Sequence, residues 1–482
     1  MEKLVLKDKR EFDIYPDSVQ KNVCMVDAGR EDLLVSDPKL NFPGELAEGA
    51  DGKMYVLSKL DHAVADRLRQ LFDWTAPSRV LGSRDKTMGV GDRLGVACDG
   101  HLRVFKKYPE ITPILAQQSI RELTLTNRTF ADVLDSATFA VFRNGYTTGF
   151  GADGDHVKTS EEVEYALNSG YTMITMDCSE HIDNSIDSLS KDEVFRKYER
   201  NTELESRYLN KSFDLGEGVV ISFNEELFKR TVLIYADAVS YAEGIYKNNV
   251  CPNGKARADF EVSIDETMTP TLPEQHYFVA AELTRRGVKV ATIAPRFCGE
   301  FQKGIDYIGN LEQYEKEMRI HAQIARTFGY KLSIHSGSDK FSVFPSTGKE
   351  TRGRFHLKTA GTNWLEAVRL IAVKDPSLYR EIHKYALVAF NEASKYYHVT
   401  TDLTKIPDVD TLTDGQLPDL FKNNDSRQLI HITYGLILNL KDDAGRYVFK
   451  DRMYSLWRTY REDYAQYLFE HIGHHASAIL LK

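Results

Sequence analysis

Short apolar runs that end in acids, imidazoles or cations recur along this 482-residue chain. Asp155 and His156 close FGADGDHV, Asp177 and His181 follow YTMITM, and Asp265 and Glu266 close DFEVSIDE. His335, Ser336, Asp339 and Lys340 lie together in KLSIHSGSDK, while Arg93, Gln118, Ser119, Arg296 and Lys358 end further runs. Imidazole and carboxylate together suit zinc, manganese, cobalt or nickel, and three protein ligands leave coordination positions open for a substrate. His156, Glu266 and His335 are the candidate ligands of such a divalent metal. One histidine alone is more often a hydrogen-bonded structural residue; three ligands at three strand ends are harder to explain that way. Asp155, then Asp177, are the candidate general bases, with Glu266 also among the candidate catalytic groups. Arg93, Gln118, Ser119, Arg296, Ser336, Asp339, Lys340 and Lys358 are candidate substrate contacts. Guanidinium matches a carboxylate with two N–H donors, so Arg93, Arg143 and Arg296 are candidate clamps for an acidic substrate, unless they pair with acids such as Asp92.

The elements that must position these residues repeat a strand-then-helix unit. Thr159 stands three residues before Glu162, a capping-box start, and Gly170 is a stop signal. Leu311, Tyr314, Met318, His321, Ala325 and Phe328 form one helical stripe that begins near Asn310 and stops at Gly329. Pro273 reads as the first residue of a helix ended by Gly287. Eight strands follow from this pattern, beginning near Thr87, Ile111, Phe150, Tyr171, Asp259, Lys289, Lys331 and Arg354. Strands alternating with helices imply parallel pairing, and eight units over this length predict an α/β fold of the (β/α)₈ barrel type. An open doubly wound sheet is the alternative. The active site then lies at the C-terminal strand ends.

The expected organisation is an N-terminal segment over 1–80 packing on the barrel, the barrel over 81–374, and a C-terminal helical extension over 375–482. That extension packs on the barrel or on another subunit, so a homo-oligomer is one expectation. Residues 182–229 are charged and poorly periodic, and read either as a lid or as a surface excursion. Gly89, Gly91 and Gly95 give GxGxxxG, one residue off the dinucleotide fingerprint, and are read as backbone crowding.

Lysine plus arginine is 62 against 71 acids, a net charge of -9. That sign argues against nucleic acid or an anionic membrane as partner, but allows one small anionic substrate held by a few arginines. No apolar run is long enough for a membrane span, and the first ten residues lack a signal-peptide core. Five cysteines without a close pair fit a reducing, cytoplasmic setting.

GADGDHVKTSEEVEYALNSGYTMITMDCS, SIDE and IHSGSDKF resemble stretches of the tagatose-bisphosphate aldolase accessory-subunit family, relatives of class II aldolases. A closer resemblance, over essentially the whole chain, is to the tagaturonate epimerase family through GVGDRLG, GADGDHVK, LSIHSGSDKF, FHLKTAGT and RQLIHITYG. The aldolase resemblance implies a metal-binding His156, a catalytic Asp155, and ligands at Glu266 and His335. The chain departs at the eighth strand, where Lys358, with His356 two residues earlier, stands in place of a further histidine. The epimerase resemblance implies metal-dependent interconversion of tagaturonate and fructuronate at C4 by retro-aldol and aldol steps, with weaker action on fructose or tagatose. Alternatives are a class II aldolase for a ketose or its phosphate, and a non-catalytic accessory barrel.

Overall fold

The computed structural model describes residues 2–480. Eight strands close into a barrel: β1 (Lys86–Val90), β2 (Thr112–Gln118), β3 (Gly151–Val157), β4 (Met173–Asp177), β5 (Asp259–Ile264), β6 (Thr292–Pro295), β7 (Lys331–Ile334) and β8 (Phe355–Thr359). Each is paired with its sequence neighbours, and β8 returns to β1. These are the eight predicted strands, and the barrel, not the open sheet, is the fold.

Local signals set the boundaries. The helix Leu311–Phe328 is capped by Asn310, whose side chain accepts from the Gln313 N–H, and ends at Gly329 with φ 82°. The helix Ser160–Asn168 is capped by Thr159, and Pro273 opens Pro273–Arg285. Helix propensity is weak on its own; these caps and the buried stripe hold each helix on the sheet.

The chain divides into two compact units. One comprises residues 1–78, 90–152 and 363–473; the other comprises 79–89, 153–362 and 474–482. In the first, six antiparallel strands between Lys3 and Lys59 form a sheet in which each strand pairs with a near neighbour. Val64 and Leu68 of the helix His62–Leu71 pack with Phe139 and Phe142 against Met25, Leu34 and Val56 of this sheet. The helices after residue 363 build their own core around Trp364, Tyr434 and Trp457. Both indole N–H groups are satisfied, donating to the carbonyls of Ile430 and Ala367 at 2.7 and 3.0 Å.

In the second unit the barrel interior is polar. Asp153, Thr175, Glu261, Thr292 and Lys358 point inward in one layer, and Thr87, Lys331 and His356 lie in another. The segment after β4 is not bare loop: it contains helices Lys191–Lys197 and Thr202–Tyr208 and a hairpin of Ser212–Asp214 with Val220–Ser222. Tyr208 donates to Glu282, and Gln323 Nε2 to the Leu215 carbonyl, so this part lies along the helices that follow β5 and β6. Asn184 and Asp187 instead meet Met268 and Thr269 in the loop after β5.

Candidate active site

Asp153 and Asp155 alternate along β3 and therefore share its inward face. Gly154 between them faces out, where an added Cβ would come within 2.8 Å of Ala166, so close helix packing demands glycine there. His156 should face outward by the same alternation. The pairing with β4 slips instead: Gly154 opposes Ile174, yet Val157 opposes Met176, so β3 carries one extra residue. His156 takes φ 49°, a left-handed conformation costly for a side chain larger than glycine's. Its Nδ1 lies 2.8 Å from Asp155 Oδ1, and its ring centroid is 4.8 Å from that of His335.

His335 directly follows β7, in the turn at its C-terminal end, and is buried. Its Nε2 is 2.8 Å from Glu261 Oε1, and its Nδ1 is 3.1 Å from Asp265 Oδ1. Ligand atoms of His156, Asp265 and His335 all lie within 4.8 Å of one another. The third member of this group is Asp265, not Glu266. Glu266 is exposed on the same loop, although its charge reaches His156. Ser263 donates to Asp265 at 2.5 Å and turns that carboxylate toward the imidazoles. His356 is not part of the group; it is fully buried against Thr87 at 3.0 Å, and burial lowers it to about 3.

The electrostatics follow from burial. Desolvation favours the neutral forms, but the Lys358 ammonium and the His156 imidazole outweigh it and hold Asp155 well below the usual carboxylate range. Desolvation dominates at Asp153 and raises it to about 7. Burial opposes a charge on His156, yet Asp155 lifts it to about 10; Asp265 and Glu261 likewise raise His335. The carboxylates that favour a proton on these imidazoles would equally favour a divalent cation in its place. The donor set of two imidazoles and one carboxylate fits zinc, manganese, cobalt or nickel.

The other expected residues fall into distinct settings. Asp177 ends β4, is buried, accepts from the Ser179 N–H at 2.8 Å and has Lys158 at 3.7 Å. Lys358 is enclosed by Asp153, Asp155, Glu261 and Thr175. Ser336 accepts from Lys303 at 2.9 Å, and Lys340 is buried on the carbonyls of Gln302, Ile305 and Ser338. Asp339 takes φ 62°, and its N–H donates to His475 at 2.8 Å. Arg296 donates to the Thr267 carbonyl, with Glu300 at 3.9 Å.

In the first unit, Ser119 caps the helix Ile120–Thr126 and forms a capping box with Glu122. Arg93 donates to Glu122 from Nε and Nη2 at 2.9 and 2.6 Å and lies over the Tyr434 ring, while its buried Nη1 has no partner. Gln118, at the C-terminal end of β2, buries both amide atoms without a hydrogen bond. Unsatisfied buried polar atoms are rare and call for a ligand or water. Arg143 is no clamp: it pairs with Asp99 and Asp32 at 2.7 and 3.0 Å. Glu261 and Asp153 were missed in the sequence because each reads as one polar residue inside an apolar strand. Their only signal is a two-residue spacing from Ser263 and Asp155.

Comparison with known proteins agrees with this architecture. A family model described as tagaturonate epimerase matches residues 10–479. The tagaturonate/fructuronate epimerase of Thermotoga maritima is 42% identical over 434 residues, covering 89% of this chain and 88% of that protein. The glycerol-complexed fructuronate-tagaturonate epimerase UxaE from Cohnella laeviribosi matches with a TM-score of 0.94 at 47% identity, over 98% of this chain and 97% of that one. Its native form gives 0.93 at 46% identity, over the same shares. With a family match running almost end to end and two such relatives, this chain belongs to the tagaturonate epimerase family.

Proposed function

We propose that the protein interconverts D-tagaturonate and D-fructuronate, the reaction for which its relatives are named. The observation that carries this reading is the grouping of His156, Asp265 and His335 beside a buried, ionised Asp155. His156, Asp265 and His335 would hold a divalent ion, with Glu266 as the alternative carboxylate. When bound, such an ion supplies Lewis acidity toward the ketone oxygen and its neighbouring hydroxyl.

The two sugars differ at C4, whose C–H is β to the ketone and is not acidified by enolisation. Asp155 is ionised and takes the C4 hydroxyl proton, with Asp177 the second choice for this role. The C3–C4 bond breaks, its electron pair passing to C3 and the C2 carbonyl, and a three-carbon aldehyde acid is released within the site. The aldehyde presents its other face, C3 re-forms the bond, and Asp155 returns the proton. Atoms and electrons balance without an oxidant. Gln118, with its orphaned amide, and Arg93, with its spare Nη1, are the candidate contacts for substrate hydroxyl and carboxylate groups. Enclosure keeps the aldehyde from escaping, and residues 184–187, tied to the loop after β5, serve as the covering part of the 182–229 segment.

Neutral fructose and tagatose fit the same chemistry without the carboxylate contact and react more slowly. No helix among the described residues is long and apolar enough to cross a membrane, and all five cysteines are free thiols, in keeping with a cytoplasmic enzyme. Incubating the purified protein with fructuronate, with and without manganese, and resolving the products tests the reading. Tagaturonate should form and chelation should stop it; net accumulation of three-carbon fragments would identify an aldolase instead.

A further inference from the structure

Lys358 sits where a substrate-binding cation would be expected, near the end of β8, but its surroundings assign it other work. Its Nζ is 2.9 Å from Asp153 Oδ2, 2.7 Å from Asp155 Oδ1, 2.9 Å from Glu261 Oε1 and 2.5 Å from Thr175 Oγ1. An ammonium has three N–H bonds, and four oxygens already surround this one. The side chain is 4% exposed. Nothing remains with which to hold a sugar.

Both ends of the network are specific. At Asp155, Lys358 and His156 each bond Oδ1, and neither takes Oδ2. One oxygen is thereby saturated and the other left as the atom able to receive a proton. At Glu261, Oε1 meets Lys358, Thr175 and His335 Nε2, while Oε2 accepts from Thr292 at 2.5 Å. A carboxylate bonded to one imidazole nitrogen fixes the ring and directs the other nitrogen, here Nδ1, toward the His156 and Asp265 group. A single ammonium on β8 therefore joins a carboxylate on β3 to the carboxylate on β5 that orients His335.

We propose that Lys358 is a positioning residue: it aims Asp155 Oδ2 at the substrate and, through Glu261, sets the orientation of His335. It does not contact the sugar. This rests on the roles given above to Asp155 and His335, so the test begins with them. Asp155→Asn should abolish turnover, and His335→Ala should lose the bound divalent ion; if either fails, the mechanistic reading falls, whatever Lys358 does.

With those two results in hand, Lys358→Met decides. The expected outcome is a fall in kcat of about 100-fold or more with KM within about 3-fold, together with manganese binding weakened by about 10- to 100-fold. A rise in KM with kcat retained would make Lys358 a substrate contact and overturn the inference. Unchanged kinetics would overturn it equally. Should Lys358→Met not fold, Lys358→Arg replaces it. Guanidinium keeps the charge but cannot gather four oxygens around one nitrogen, so kcat should still fall at unchanged KM. Wild-type kcat, or a raised KM, in that variant would sink the proposal.

Discussion

Asp265 Oδ1 stands 3.1 Å from His335 Nδ1, whereas Glu266, the next residue, is exposed to solvent. The bond from Ser263 holds Asp265 in place, and its carboxyl lies well below the usual range: desolvation opposes this, but His335 outweighs it. Asp265→Ala should therefore weaken divalent-ion binding by on the order of 100-fold, and Glu266→Gln by much less. Titrating manganese into both variants, followed by electron paramagnetic resonance, measures the difference. The reverse order would return the ligand role to Glu266.

The carbon chemistry makes a separate prediction. In a retro-aldol route the hydrogen on C4 never leaves its carbon. Epimerisation in heavy water should leave C4 free of deuterium, as read by proton NMR of the product. Deuterium at C4 would mean deprotonation there, and Asp155 would then be acting on carbon instead of oxygen.

Arg93 is a candidate contact for the substrate carboxylate. Two of its nitrogens are committed to Glu122, and Nη1 is the one left. Arg93→Leu alone would strand Glu122 as a buried unpaired charge. The double variant Arg93→Leu, Glu122→Leu avoids that. It should lower kcat/KM for fructuronate by roughly 30- to 1,000-fold, about 2–4 kcal/mol, and for neutral fructose far less. Equal losses for both sugars would remove Arg93 from carboxylate recognition.

Acid stability should depend on a second pair of imidazoles, which takes no part in the proposed chemistry. His276 and His321 face each other through Nδ1 at 2.9 Å, and Tyr330 closes on His276 Nε2 at 2.6 Å. Burial keeps both neutral, His321 down to about 4 and His276 well below its ordinary value. In the unfolded chain they protonate near pH 6.5. The unfolded state thus binds more protons below that pH, and stability is lost as pH falls from about 6.5 toward 4, by about 1.4 kcal/mol per unit for each histidine. Denaturant melts of His321→Leu should show a flatter dependence over that window than the parent. An unchanged slope would rule out this source.

Much of this was legible in the sequence, and the rest was hidden for identifiable reasons. The barrel strands and the helix starts at Asn310, Thr159 and Pro273 are local signals, written in residues a few positions apart. Asp155 was legible as the end of its strand, whereas Asp153, which shares its face by simple alternation, was passed over as one polar residue within the strand. The antiparallel sheet of the first 60 residues was not read, because its short strands mix charges with aliphatics and lack a consistent period. Which of Asp265 and Glu266 turns inward depends on a loop and on Ser263, not on spacing. Arg143 meets Asp32 and Asp99, distant partners that no local pattern reveals. Lys340 resembled a ligand-binding cation but donates to three backbone carbonyls.

The extra residue in β3 has a consequence for how such a site arises. Regular alternation cannot turn two adjacent side chains toward one point, and here Asp155 and His156 are brought together by a slip in pairing. The candidate proton acceptor and the candidate metal-binding imidazole thus depend on the length of this strand as well as on residue type. Deleting one residue between Gly154 and Val157 would restore the regular ladder and send one of the pair outward. The site is therefore as sensitive to one residue gained or lost in β3 as to a substitution within it.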